Sequence, residues 1–197
     1  MDINALKQRL NTLQSTNTTG KKEKIDYTKV YWKPKQEGKY QIRIVPSKLN
    51  PQNPFQEVFV HYGYSKFPIY ALTNWGEKDP IVEFAKQLRQ TSDKENWRLA
   101  KKVEPKLRYF APVLVRGEED KGVRLWAFGK QLYQTFLNFM LDEDYGDITD
   151  PMEGRDIRVV CTKTPGRMWA TTEVRPRGKD TPLSENQGQV KKWLDSI

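Results

Sequence analysis

The sequence has almost none of the residues that build disulfides, cysteine-rich metal sites and most nucleophilic active sites. Its 197 residues include one cysteine, Cys161, and one histidine, His61. A single cysteine excludes an internal disulfide framework, and a lone histidine leaves few ways to build a nucleophile–base pair. No apolar run approaches the length of a transmembrane helix, and the first residues lack the apolar stretch of a secretory signal. We therefore expect a cytoplasmic protein that makes no membrane contact.

Positive charge and aromatic side chains are what the chain has in excess. Lysine and arginine number 34 against 25 acidic residues, which gives a formal net charge of +9, and 12% of the residues are aromatic. An excess of this size favours polyanionic partners. Flat rings beside cations suit unstacked bases, so the composition favours nucleic acid over a membrane surface.

The acidic run 142–147 is the segment that most resembles a metal or nuclease site. A calcium loop needs oxygen ligands at its first, third and fifth positions and glycine at the sixth, whereas Gly146 occupies the fifth position here. We interpret the run as a solvated loop and Cys161 as a buried hydrophobic residue. No catalytic constellation emerges, so we predict that the protein is not an enzyme. A nuclease that uses Asp144 or Asp147 is the weakest alternative.

Hydrophobic periodicity predicts short strands that alternate with helices. Asp79 and Pro80 form an N-cap and first-turn proline ahead of a helical apolar face, and a capping-box pattern begins at Ser184. The pattern is that of a mainly β, α+β fold built as a small, partly open barrel with peripheral helices. Strands are predicted at 40–45, 55–63, 107–116, 122–128, 155–161 and 167–174, and helices after Asp79, at 130–141 and after Ser184.

The chain divides into three predicted segments. Residues 1–25 form an N-terminal arm, a short amphipathic helix followed by a polar linker. Residues 26–180 form the core, with an inserted lobe at about 64–100. Residues 181–197 form a C-terminal helix.

Cations and aromatics interleave on the two predicted hairpins and in the segment that leads into the first. Such a pattern is typical of a groove that neutralises phosphates and stacks bases. The residues predicted to bind nucleic acid are Lys102, Lys106, Arg108, Tyr109, Phe110, Arg124, Trp126, Lys130, Arg167, Trp169 and Arg175.

Strand alternation limits which of these side chains share a face. Tyr109 and Phe110 point in opposite directions, so only one of them lies squarely in a groove. Arg124 and Trp126 share a face, and Leu125 and Ala127 on the opposite face suit packing against a core. We therefore predict that the face with Arg124 and Trp126 is open and that Trp126 and Trp169 touch bases.

Several blocks of the chain resemble the gene 32 single-stranded-DNA-binding family of T-even-type phages. The blocks occur in family order between about residues 38 and 175. They are Ile42-Arg43-Ile44-Val45-Pro46-Ser47-Lys48, Pro54-Phe55 with His61, Tyr109-Phe110, Gly122-Val123-Arg124-Leu125-Trp126-Ala127-Phe128-Gly129-Lys130, and Asp147-Ile148-Thr149-Asp150-Pro151-Met152-Glu153-Gly154.

The resemblance implies a five-stranded OB-like barrel that coats single-stranded DNA during phage replication, recombination and repair in a bacterial host cell. Tyr109 and Phe110 match the family's adjacent aromatic pair, and Trp126 matches a groove aromatic. Trp169 matches an aromatic of the family's late hairpin, and Lys130 matches a lysine after the Phe-Gly step. It also implies self-association along DNA through the N-terminal arm and contacts with phage replication and recombination proteins. An RNA-binding OB-fold protein is the main alternative, and a scaffold whose basic face meets a protein is another.

The family's structural zinc has too few ligands here. Family members hold the metal with one histidine and three cysteines, two of them in a Cys-Pro-x-Cys step. His61 stands at the histidine position, but the step begins at Asp79 and contains no cysteine. Zinc needs four good ligands, so we predict no cofactor. The lobe is then expected to rely on apolar packing by Tyr70, Trp75, Ile81 and Phe84.

Overall fold

A computed structural model describes residues 26–47, 50, 53–65 and 68–197. The predicted N-terminal arm, residues 1–25 with its linker, lies outside the described residues. In the part of the chain that is described, no helix is long and apolar enough to span a bilayer. The elements are β1 (Tyr31–Trp32), β2 (Gly38–Ile44), β3 (Gln56–His61), β4 (Ile69–Tyr70), α1 (Pro80–Arg89), α2 (Lys94–Val103), β5 (Lys106–Val115), β6 (Arg124–Phe128), α3 (Lys130–Leu141), β7 (Arg155–Thr162), β8 (Thr171–Asp180) and α4 (Gln187–Asp195).

The strands form one open, mixed sheet around the long strand β5. The main path runs β1-β6-β5-β2-β7-β8, and β3 joins β5 and carries β4 at its far edge. One edge of β5 pairs with β6, while its other edge pairs first with β3 and then with β2. The mainly β, α+β prediction is confirmed as a mixed fold, but the sheet is open and has more strands than the five expected.

The main core lies on the inner face of this sheet, where α3 covers it. Alternate residues of β5 and β6 point inward, among them Tyr109, Ala111, Trp126 and Phe128, and Phe136 of α3 packs against them. The ring of Tyr109 stacks on that of Tyr133 with centroids 4.0 Å apart. The buried position predicted for Cys161 is confirmed.

A second, smaller core holds the C-terminal helix on the outer face of β2 and the second half of β5. Val45 and Leu114 pack there against Val190 and Trp193 of α4. A buried ion network anchors the segment before α4, because Arg43 and Arg116 both bind Asp156 at 3.0 Å. Both guanidinium groups also donate to backbone carbonyls at 181–183.

Most local predictions agree with the structure, and the differences have local causes. The carboxylate of Asp79 caps α1 as predicted, and α3 has the predicted bounds. Helix α2 was not predicted, although Asp93 caps it in the same way. Strand β8 begins at Thr171 rather than 167, because the side chain of Lys163 binds the carbonyls of Arg167 and Met168 and so closes a longer loop.

Candidate nucleic-acid interface

A row of five aromatic rings crosses the outer face of the sheet, and we call it the aromatic face: Tyr31, Tyr62, Tyr70, Trp75 and Phe110. The rings of Tyr31 and Phe110 have centroids 6.4 Å apart, and the hydroxyls of Tyr31 and Tyr70 lie 3.0 Å apart. Trp75 meets Tyr70 edge-on at 6.4 Å. Tyr62, Tyr70 and Trp75 are exposed, whereas Tyr31 and Phe110 are half-buried. The row therefore presents ring surface to solvent at several adjacent points.

Strand pairing explains why Phe110 lies on this face. Phe110 pairs with Ala127 of β6 and with Gln56 of β3. Because directly opposed residues share a face, the small Ala127 leaves the ring of Phe110 uncovered on that side. A cavity of about 620 Å³ extends from Phe110, with Val30, Pro112 and Leu125 among its lining residues.

Cations flank the aromatic face along β5. Arg108 lies two residues before Phe110 and so shares its face. Its guanidinium lies over the ring of Tyr62 at 5.5 Å, and its Nε donates to the Tyr62 hydroxyl. The guanidinium of Arg108 also packs beside Gly129, the residue before Lys130. A Cβ at position 129 would lie 3.7 Å from Nη1 of Arg108. Lys106 and Lys130 are exposed.

The phenol of Tyr70 carries no charge that would repel phosphate. Burial, followed by the hydrogen bond with Tyr31, raises the pKa of Tyr70 to about 12. The phenol is therefore neutral across the physiological pH range. Its ring remains available for stacking while its hydroxyl stays tied to Tyr31.

The prediction that Arg124 and Trp126 form the open face is wrong. Trp126 is 3% exposed and packs against Trp32, with ring centroids 5.3 Å apart, and against Phe136. Arg124 is 5% exposed and its Nη2 binds Glu118 at 2.7 Å. The reason is that α3 covers this face, so the large residues of β6 fill the core and the small Ala127 faces outward.

The predicted division between Tyr109 and Phe110 is confirmed. Tyr109 is 4% exposed and belongs to the main core, so it does not present its ring to a ligand. Phe110 is the member of the pair that reaches the outer face.

The remaining predicted residues lie away from this row or at its margin. Lys102 is exposed near the end of α2. Trp169 is 73% exposed in the β7–β8 loop, where Arg167 donates to the hydroxyl of Thr171. Arg175 is exposed on β8, opposite Arg158 of β7. No contact among the described residues joins these three hairpin side chains to the aromatic face.

A buried carboxylate anchors the segment that carries Tyr70 and Trp75. Oδ2 of Asp79 accepts hydrogen bonds from Nε2 of His61 at 3.0 Å and from the amide of Leu72 at 2.9 Å. Oδ1 accepts from the amides of Ile81 and Val82. One side chain thus ties β3, the turn 72–75 and the start of α1 together.

The four donors also set the charge state of this carboxylate. Burial on its own would raise the pKa of Asp79, but the hydrogen bonds from His61 and the backbone amides outweigh it and lower the pKa. Asp79 is therefore ionised at neutral pH, and both of its oxygens are occupied. The expectation of apolar packing is wrong for Trp75 and Phe84, which are 63% and 47% exposed.

The residues here do not fit the family's zinc. His61 and Asp79 are the two candidate ligands at this point, and both Asp79 oxygens already accept two hydrogen bonds each. The one cysteine lies on β7 in the main core, near Thr172. No group of three or more histidine, cysteine or carboxylate side chains in the described ranges could hold a metal ion.

Sequence reasoning did not assign Tyr31, Tyr62, Tyr70 and Trp75 to the interface. They come from β1, the end of β3, β4 and the following turn, so their proximity depends on long-range pairing. One signal was present, because segment 62–75 carries five aromatic residues without a helical or strand period. Aromatic residues in a segment without such a period are not predicted to face the core, so they are candidates for an exposed site.

Comparison with known protein families gives a match over most of the chain. A protein-family model described as gp32 DNA binding protein like matches residues 36–186. Comparison with curated protein sequences gives no match. The match spans β2 to β8 and therefore includes Phe110, Arg108, Tyr70 and Trp75. Because it covers more than half of the chain, the protein belongs to the gp32-like family of DNA-binding proteins.

Proposed function

We propose that this protein binds single-stranded DNA with little sequence preference, through the aromatic face and the cations beside it. The observation that carries the proposal is the row from Trp75 through Tyr70 and Tyr31 to Phe110, in which successive side chains are in contact through their rings or, for Tyr70 and Tyr31, their hydroxyls. In duplex DNA the base faces are covered by neighbouring bases, so stacking on such a row requires an unpaired strand. Every base has a π-face, so stacking tolerates any sequence.

The chemistry divides between rings and cations. Each stacked base contributes about 1–3 kcal/mol by the usual measure of alanine substitution. Arg108, Lys106 and Lys130 neutralise phosphates along the same path, with Lys102 as a further contact at the end of α2. If about five phosphates are engaged, the slope of log affinity against log salt is about −3.5.

Arg167, Trp169 and Arg175 remain proposed contacts on the β7–β8 hairpin. Their exposure supports this role. Trp126, Arg124 and Tyr109 are no longer proposed as contacts, because the core covers them.

The biological setting is proposed from the family resemblance. We infer that the protein coats single strands during phage DNA replication, recombination and repair in the host cytoplasm, and that it catalyses no reaction. Self-association along DNA would use the N-terminal arm, which lies outside the described residues, and phage replication and recombination proteins are expected partners. We also propose that no zinc or other cofactor is needed, since the donor set beside His61 does not suit a metal.

The OB-like character of the core is likewise a proposal. Its support is that β5 pairs with three strands and that the strand order β6-β5-β2-β7-β8 is continuous. The elements β2, β5, β6, β7 and β8 would supply the five barrel strands. No pairing between β1 and β8 closes the sheet in the part of the chain that is described.

Titration with matched oligomers tests the proposed function. Oligo-dT, the corresponding RNA and a duplex of equal length are added at fixed salt while tryptophan fluorescence is followed. We expect quenching and tight binding with single-stranded DNA, and much weaker binding with the duplex. Equal affinity for duplex together with unchanged emission would refute the proposal, and a clear preference for RNA would favour the RNA-binding alternative.

A further inference from the structure

Three arginines lie together on the outer surface of β7 and β8, and we call this group the arginine surface: Arg158, Arg175 and Arg177. Arg158 and Arg175 are directly opposed across the two strands. Arg177 reaches towards β2, where its Nη1 donates to Oε1 of Gln41 at 2.9 Å. Gln41 itself is opposed to Arg158. All three arginines are exposed.

In the described part of the chain, the three arginines of this surface form no ion pair with a carboxylate. Glu173 lies two residues before Arg175 on β8, opposite Val160. The nearest buried carboxylate, Asp156, is two residues before Arg158 on β7, but Arg43 and Arg116 already bind it, and Arg155 binds Asp180.

Two like charges in directly opposed positions destabilise a sheet. The unpaired Arg158 and Arg175 therefore indicate an anionic partner rather than a contribution to the fold.

The surroundings of the arginine surface define the kind of anion. The residues next to these arginines on the same face include Lys39, Gln41, Asp156, Val160 and Glu173, and none of these carries an aromatic ring on which a base could stack. A guanidinium presents a planar fork of donors that matches a phosphate group. Arginines two residues apart on a strand are separated by about 6.7 Å, which suits a chain with regularly repeated charges.

We propose that the arginine surface binds the phosphodiester backbone of the bound strand beyond the aromatic face, with its bases unstacked there. The proposal rests on the proposed function and extends it to a second contact region. Helix α4 packs on β2 and the second half of β5, between the two regions. A DNA strand must therefore be longer to reach the arginine surface than to fill the aromatic face alone.

The test compares salt dependence and oligomer length for an Arg158→Gln/Arg175→Gln double variant. Both side chains are exposed, so the variant is expected to fold, and its melting temperature verifies this. A Lys94→Gln/Arg98→Gln variant of α2 removes the same charge from another exposed surface and serves as the control. Affinity is measured for oligo-dT of about 6 and about 20 nucleotides, which brackets the usual site sizes of such domains.

For the long oligomer, the double variant is expected to reduce the salt slope by about 1.4, since each lost phosphate contact removes about 0.7. The short oligomer is expected to bind the variant and the wild-type chain equally, and the control should show neither change. A wild-type chain that binds no single-stranded DNA overturns both proposals. Normal wild-type binding with an unchanged slope in the double variant overturns this proposal alone.

Discussion

Replacing Asp79 with alanine tests how the segment of Tyr70 and Trp75 is held. The substitution removes the cap of α1, at a cost of about 1 kcal/mol. It also leaves the buried Nε2 of His61 without an acceptor, which costs about 1–3 kcal/mol, while the partly buried amide of Leu72 adds about 1 kcal/mol. Together, the free energy of unfolding should fall by about 3–5 kcal/mol.

Asp93 offers a matched control, because it also caps a helix. Its carboxylate is exposed and accepts one hydrogen bond, from the amide of Glu95 at 3.0 Å. Asp93→Ala should therefore lower the free energy of unfolding by about 0.5–1 kcal/mol. Urea unfolding at pH 7 measures both variants. Equal losses for Asp79→Ala and Asp93→Ala would refute the idea that Asp79 joins three elements.

The pH dependence of the same variant has a definite sign. The pKa of Asp79 is lowered in the folded state. Its contribution is therefore fully present above the unfolded pKa of about 3.9 and is lost as the pH falls through the folded pKa. The difference between wild type and Asp79→Ala should shrink when unfolding is measured at pH 3 instead of pH 7. A difference that grows on acidification would contradict the assignment.

Three further predictions follow from the buried groups. Asp156→Ala should lower the free energy of unfolding by about 3–5 kcal/mol in a urea titration, because it leaves the buried Arg43 without its carboxylate; a loss below 1 kcal/mol would contradict this. Trp126→Phe should keep the DNA-induced fluorescence quench, because Trp126 is covered by the core, and loss of the quench would restore it as a contact. A chelator such as EDTA should leave the melting temperature unchanged, since His61 and Asp79 do not form a metal site, and a marked drop would reveal a bound ion.

Local signals were sufficient for the elements whose ends are set by their own residues. Asp79 followed by proline predicted the start of α1, because capping depends on hydrogen bonds within the first turn. Alternation predicted that Tyr109 and Phe110 point to opposite faces. Neither inference required knowledge of the tertiary structure.

Alternation did not reveal which face of β6 is covered. It correctly grouped Arg124 with Trp126, but the choice of the buried face depends on where α3 packs. Phe136 packs against Trp126 from that helix, and no signal within β6 reports its position. The aromatic face was hidden for a similar reason, because Tyr31 and Tyr70 are separated by 39 residues and meet only through the sheet.

Phe110→Ala is the most direct test of the claim that the aromatic face binds unpaired strands. Fluorescence titration with oligo-dT compares it with wild type and with Phe84→Ala, which removes an exposed ring from α1. Loss of one stacked base, about 1–3 kcal/mol, predicts affinity about 5- to 150-fold weaker for Phe110→Ala with an unchanged salt slope. Phe84→Ala should bind like wild type. Wild-type affinity in the Phe110→Ala variant would contradict the account.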